Sequence, residues 1–231
     1  MYRKEIKKEV ALADIIQELE HNALNREQIR RKTYVKNELI EEDCGRILIL
    51  EEGYIVKFMH VKKQEKAVDF YAGEELIDFD QAFVLKEQNK FTLKALTDCE
   101  LITVDKQFFM DYLSIRPIFM EFIIKKLTRN LHHFIVKMGI NGKYQKDRVM
   151  IGLLNISYAL GADAQCEFFK VPNSINHYLL ADYCDVDPTA FSKICKKLTN
   201  ENMIFMNKRQ IIVCVRVMRL AVKENQGIYV R

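Results

Sequence analysis

The apolar residues of this chain change their period partway along, so one layer of structure cannot serve both halves. Between residues 33 and 105 they come in short runs rich in β-branched and aromatic side chains. These are Arg46-Ile47-Leu48-Ile49-Leu50, Tyr54-Ile55-Val56-Lys57-Phe58-Met59, Lys66-Ala67-Val68-Asp69-Phe70, Phe91-Thr92-Leu93-Lys94-Ala95-Leu96 and Glu100-Leu101-Ile102-Thr103-Val104. Polar or glycine-bearing stretches separate several of them, such as Glu51-Glu52-Gly53 and Tyr71-Ala72-Gly73. Many short strands at near-regular spacing predict an all-β barrel or sandwich. After Pro117 the period becomes helical. Met120, Ile124, Leu127, Leu131, Phe134 and Met138 follow one another with 4-3-4-3-4 spacing. That is a heptad seam. It fits a helix packed on its own core or one paired with a second copy. The strict spacing and the polar flanks (Lys125, Lys126, Arg129, Asn130, His133) favour a homodimer.

The flanking segments are helical in pattern. Residues 4–20 carry Ile6, Val10, Ala13 and Ile16 near the helical period, with charges between. Residues 22–32 are polar and read as a connection. Gly139 and Gly142 bracket the end of the long helix, and Gly139-Ile140-Asn141-Gly142 is the candidate hinge. The division expected is 1–113 for an N-terminal helix and β-barrel, 114–142 for the dimerisation helix and hinge, and 143–231 for a C-terminal module.

Composition narrows the class. In 231 residues, 49% are hydrophobic, 29% are charged, and there are only 8 Gly and 3 Pro. This is the balance of an ordinary globular protein. No apolar run approaches the length of a membrane helix, and the first twenty residues are too charged for a signal peptide. A cytoplasmic protein with no membrane partner is expected. The cysteines at 44, 99, 166, 184, 195 and 214 show no CxxC spacing, which predicts reduced core thiols rather than a metal or cluster site. Charge is unevenly placed. Residues 143–231 hold 13 Lys/Arg against 8 Asp/Glu, whereas residues 1–142 hold 23 against 24. A basic C-terminal part suits a polyanionic partner.

The most informative stretch is 173–213. Ile175 to Cys184 and Pro188 to Thr199 read as two short helices joined by Asp185-Val186-Asp187. Asp187 is placed to cap the second helix, with Pro188 in its first turn. Phe191, Ile194, Cys195 and Leu198 fall on its inner face. Thr189, Ser192, Lys193, Lys196 and Lys197 fall on its outer face. A strand over 167–171 precedes the pair, and a hairpin follows, Ile204-Phe205-Met206 and 211–215, turning through Lys208 and Arg209. This is a winged helix-turn-helix whose second helix fits the major groove of double-stranded DNA. The candidate DNA-contacting residues are Asn176, His177, Thr189, Ser192, Lys193, Lys196, Lys197, Lys208 and Arg209. A solvated basic helix in a protein-binding or scaffold module is the alternative.

A barrel, a heptad helix and a winged helix-turn-helix, in that order, resemble the Crp/Fnr family of bacterial transcription regulators. Gly53, Tyr71-Ala72-Gly73-Glu74 and residues 95–101 stand like the family's recurring barrel segments, and residues 175–204 match its helix-turn-helix register without a gap. Ile140-Asn141-Gly142-Lys143 and Gly152-Leu153-Leu154, with Tyr158 and Gly161, are similar to the PrfA-like subgroup. The resemblance implies an α+β chain with a jelly-roll barrel of the cyclic-nucleotide-binding type. It further implies dimeric binding to a palindromic operator, transcription activation through RNA polymerase and control by a small-molecule effector.

The departures carry their own expectations. Cyclic-nucleotide-binding members clamp the phosphate with an arginine, but residues 85–91, Leu-Lys-Glu-Gln-Asn-Lys-Phe, contain none, so no cyclic nucleotide is expected. No cysteine precedes Cys44, which argues against an oxygen-sensing cluster, and no cofactor is expected. The reading helix has Pro188, Thr189 and Lys193 where many members have Arg, Glu and Arg, so the usual operator does not carry over. Asp185 stands at the turn position usually held by Gly, a place Asp tolerates. The histidines (21, 60, 132, 133, 177) do not form a cupin metal set, and no Walker, GxSxG or HExxH motif is present, so an enzyme is not expected.

Overall fold

The computed structural model describes residues 11–41, 43, 45–61, 64–77, 91–139, 144–163, 165–207 and 210–226, without the side chains of Val61, Arg129, 132–139 and 223–226. The hinge residues 140–142, the wing-tip residues Lys208 and Arg209, Cys44, the start of the N-terminal helix and the segment 85–90 lie outside the described residues.

Among the described residues the five β-branched runs and three further segments form eight strands: β1 (Ile29–Tyr34), which begins inside the stretch the sequence reads as a connection, β2 (Leu39–Ile40), β3 (Arg46–Glu52), β4 (Tyr54–Val61), β5 (Gln64–Ala72), β6 (Glu75–Ile77), β7 (Phe91–Ala95) and β8 (Cys99–Asp105). They make two antiparallel sheets, ordered β1-β8-β3-β6 and β2-β7-β4-β5. Leu48, Leu50, Ile55, Tyr71, Leu93 and Leu101 fill the space between the sheets. Gly53 joins β3 to β4 at φ 101°, and a Cβ there would lie 2.6 Å from the Asp98 carbonyl oxygen. Only glycine fits that turn.

Three helices cover the outer face of the first sheet. They are α1 (Leu12–Asn22), α2 (Lys106–Ile115) and α3 (Pro117–Gly139). Leu12, Ile15 and Leu19 of α1, Phe109 and Leu113 of α2, and Phe119 and Ile123 of α3 pack on Ile47, Ile49, Ile102 and Val104. Asp105 ends β8 and caps α2 by accepting from the Phe108 N–H at 2.9 Å. The Tyr112 hydroxyl donates to Glu18, and Arg116 pairs with the same carboxylate, which ties α1 to α2. Lys126 of α3 reaches Glu75 at the start of β6 in a largely buried ion pair. Glu75 is the first residue of β6.

The C-terminal module consists of α4 (Gln145–Ala159), β9 (Phe168–Lys170), α5 (His177–Tyr183), α6 (Pro188–Asn200), β10 (Ile204–Asn207), β11 (Gln210–Cys214) and α7 (Val215–Gln226). Residues 149–157 of α4 are all buried, so it is the central helix of the module. It approaches α5 closely at Gly152, where a Cβ would fall 2.4 Å from Cys184 Sγ. The wing is a three-stranded sheet, β10-β11-β9. α7 packs through Val215, Met218 and Val222. The module's core is continuous with Val56, Ala67, Phe70 and Leu96 of the barrel.

Among the described residues, four of the five cysteines (Cys99, Cys184, Cys195 and Cys214) are buried. Burial pushes the Cys195 thiol up to about 12 and also raises those of Cys99 and Cys214. A thiol reacts as its thiolate. A disulfide reagent at pH 8 is therefore expected to modify the partly exposed Cys166 well before these four, which react only on unfolding. Fast native labelling of Cys195 would contradict this packing.

Candidate nucleic-acid interface

The helix-turn-helix is assembled by backbone caps. Asn176 Oδ1 accepts from the Leu179 N–H at 2.9 Å and starts α5. α5 ends with the Val186 N–H on the Ala181 carbonyl and the Asp185 N–H on the Asp182 carbonyl, both at 3.0 Å. This pair of bonds needs a left-handed residue after the helix, and Asp185 supplies it at φ 56°. Asp187 Oδ1 then accepts from the N–H groups of Thr189 and Ala190 at 2.8 and 3.3 Å, opening α6 behind Pro188. Those bonds hold the Asp187 carboxyl below its ordinary value. Its cap is fully made above the usual carboxylate range and is lost as pH falls through the lowered value. α6 closes as α5 does, with Asn202 at φ 56° and the Met203 N–H on the Leu198 carbonyl.

This frame fixes which face of α6 looks outward. Phe191, Ile194, Cys195 and Leu198 are buried. Thr189, Ser192, Lys193, Lys196 and Lys197 are all exposed. Among the described residues, none of the three lysines has an ion-pair partner. Ser192 Oγ donates to the Pro188 carbonyl at 3.0 Å, which leaves its lone pairs facing out. Asn176 is exposed at the head of α5. His177 is placed differently: its ring stands edge-on to Phe191, 5.8 Å between centroids, and its buried Nε2 has no hydrogen bond among the described residues. Tyr178, one residue on, is the more exposed side chain at 74%. Sequence reasoning misses it, although it falls off the buried Leu180–Ala181–Tyr183 face. Gln210 Nε2 donates to Asn173 Oδ1 at 3.0 Å and ties the wing to the loop before α5.

The second site element is α3. Phe119 and Ile123 are buried against the barrel, and Met120 packs at the edge of that cluster. Ile124, Leu127 and Leu131 remain 57, 37 and 59% exposed within one chain. Phe134 and Met138 continue the same stripe, with side chains outside those described. Among the described residues no helix is long and apolar enough to cross a membrane, and no group of three or more His, Cys, Asp or Glu side chains could hold a metal ion.

No family model matches the chain. A curated relative, the HTH-type transcriptional regulator ArcR of Staphylococcus epidermidis, is 26% identical over 121 residues, which are 52% of this chain and 52% of ArcR. The chain thus matches about half the length of that relative. Among solved structures, a cyclic nucleotide-binding domain containing protein from Listeria monocytogenes superposes with TM-score 0.76 at 21% identity, covering 89% of this chain and 98% of that one. A CooA variant from Carboxydothermus hydrogenoformans superposes with TM-score 0.69 at 12% identity, covering 93% and 97%. These likenesses do not single out a PrfA-like subgroup. The barrel, the long helix and the winged helix-turn-helix together are the fold of the Crp/Fnr transcription regulators, and this chain has that fold.

Proposed function

We propose that the protein is a DNA-binding transcription regulator, not an enzyme, that reads an inverted repeat as a homodimer. One observation carries this reading: the outward face of α6 presents Lys193, Lys196, Lys197, Thr189 and Ser192 together, exposed, on a helix capped at both ends. A helix of this width enters the major groove, where lysine reaches phosphates and guanine edges and hydroxyls reach either. The likeness to ArcR supports the same function. The exposed stripe Ile124, Leu127 and Leu131 supports pairing of α3 helices in a dimer. Two-fold symmetry would set the two α6 helices about one turn of DNA apart. Activation through RNA polymerase is the mode the family resemblance favours; repression by occlusion would use the same DNA contacts. The protein would act in the cytoplasm.

Selection from a random duplex library at one moderate salt concentration tests the reading. An enriched inverted repeat supports it. Recovery of unselected, salt-sensitive DNA alone would reject sequence reading by the ligand-free dimer.

The barrel is expected not to respond to cyclic nucleotide. Residues 85–91 lack the clamping arginine, and the described interior is filled by apolar side chains. Millimolar cyclic AMP should leave the melting temperature unchanged, because a ligand at a hundred times its Kd would stabilise by about 2.7 kcal/mol. A rise of several degrees would overturn this.

A second reading has its own observation. Phe168 and Phe205 form an exposed aromatic pair on the wing sheet, 6.1 Å between centroids. Such a pair suits a protein partner, as expected of a scaffold module.

A further inference from the structure

Among the described strands, β5 lies at the edge of its sheet, beside β4. The outer N–H and C=O groups of an edge strand have no ladder partner and take whatever can pair with them. Here the C-terminal module supplies the partner. The Ala67 N–H donates to Asp182 Oδ2 at 2.6 Å. One residue earlier, Lys66 Nζ meets Asp185 Oδ1 at 2.5 Å, and the other oxygen of that carboxylate accepts from Arg148 Nη1 of α4 at 2.9 Å. Beside them the Phe70 ring stands edge-on to Tyr183, 5.2 Å between centroids.

We infer that this clamp positions the reading helix: Asp182 and Asp185 fasten the helix-turn-helix to the barrel's edge strand and so set where α6 stands relative to α3. Asp182 belongs to the last turn of α5, and Asp185 is the left-handed residue that closes it. Two residues after Asp185, Asp187 caps α6. An anchor at Asp185 therefore fixes the start of the reading helix with little slack. One polar anchor, beside the apolar core the module shares with the barrel, would leave more room to pivot. Two carboxylates held on adjacent residues of one strand, with an aromatic pair beside them, resist both rotation and sliding.

The consequence for DNA rests on the dimeric reading proposed above. With α3 on the barrel at one side and α6 clamped at the other, the distance between the two α6 helices in a dimer is set. Base pairs advance by about 3.4 Å, so a pivot of that size shifts the preferred half-site spacing by about one pair. The clamp residues lie off the outward face of α6. They govern the spacing that is read and leave the half-site sequence alone.

The test uses the full-length chain carrying Lys66→Ala, Asp182→Ala or Asp182→Asn. By hydrogen exchange without DNA, the two alanine variants should release the β5 and α5 amides, Ala67 included, about fivefold faster, with β3 and β8 unchanged. Asp182→Asn keeps an acceptor oxygen and should restore most of the protection. Equal exchange in all forms would overturn the clamp. In library selection, the alanine variants should enrich the wild-type half-site with a spacer spread one or two base pairs wider. A spacer distribution identical to wild type would overturn the positioning role. If the wild-type protein enriches no inverted repeat, the dimeric reading fails, and the exchange result still decides the clamp.

Discussion

Replacing Leu127 and Leu131 together with glutamate is expected to yield a folded single chain, sedimenting at 27.3 kDa rather than twice that mass. Both side chains are exposed within one chain, while the residues that hold α3 to the barrel, Phe119 and Ile123, lie on the neighbouring face. The substitution therefore removes little intramolecular packing. In a paired seam it places four carboxylates at apolar positions around a two-fold axis. Desolvating an unpaired charge at such a site costs several kcal/mol, so the dimerisation constant should fall by about a thousandfold or more. A circular dichroism spectrum and melting curve close to wild type would show that the fold survives. An unchanged sedimenting mass would reject α3 as the dimer seam.

Replacing Lys193 and Lys196 with alanine should abolish specific DNA binding with the dimer intact. The two lysines stand on the exposed face of α6 and contribute nothing to its buried side. Each lysine–phosphate pairing removed should lower the salt slope by about one, and a dimer carries two copies of each lysine. Taking away all four pairings should weaken binding by about a hundredfold to ten-thousandfold at fixed moderate salt, at about 1 kcal/mol each. If Lys193 touches a base edge, its removal also relaxes sequence preference at one position per half-site, whereas a phosphate-bound lysine, once removed, weakens all sequences alike. Full retention of specific binding would show that α6 is not the reading helix. The protein-binding alternative predicts that retention only with a DNA-binding surface elsewhere.

The helix-turn-helix is legible in the sequence because its signals are local. Asn176 and Asp187 cap, Pro188 opens, and the apolar spacing of Phe191, Ile194, Cys195 and Leu198 marks a single face. The aspartate in place of glycine at 185 is also readable, since its tolerance of left-handed backbone is a property of the residue itself. Structure held by partners is not legible in this way. β1, Ile-Arg-Arg-Lys-Thr-Tyr, is almost wholly solvent-facing and reads as a polar connector; its order comes from pairing with β8 along six residues. α2 follows β8 without a break, so no turn residue announces it. α7 runs straight on from the final strand and is hidden by it, although Val215, Met218 and Val222 keep a helical period that separates the two. The seam of α3 is readable as a stripe, but Phe119 and Ile123, which hold the helix to its own barrel, form an adjacent stripe the heptad count passes over. The shared core of barrel and C-terminal module is beyond local pattern altogether, because Val56 and Phe70 look like ordinary alternation in a strand.

The covering of β5 by α5 also bears on how the protein stays in solution. An uncovered strand of nine residues, with Ala67 and Phe70 on its outer face, is a template for pairing with the same strand of another molecule. The carboxylate of Asp182 on the Ala67 amide acts as a guard against that polymerisation. Any rearrangement that lifts the reading head from the barrel takes this acceptor away from the Ala67 amide. Mutants that loosen the guard should show their defect first as concentration-dependent turbidity, before any change in what they bind.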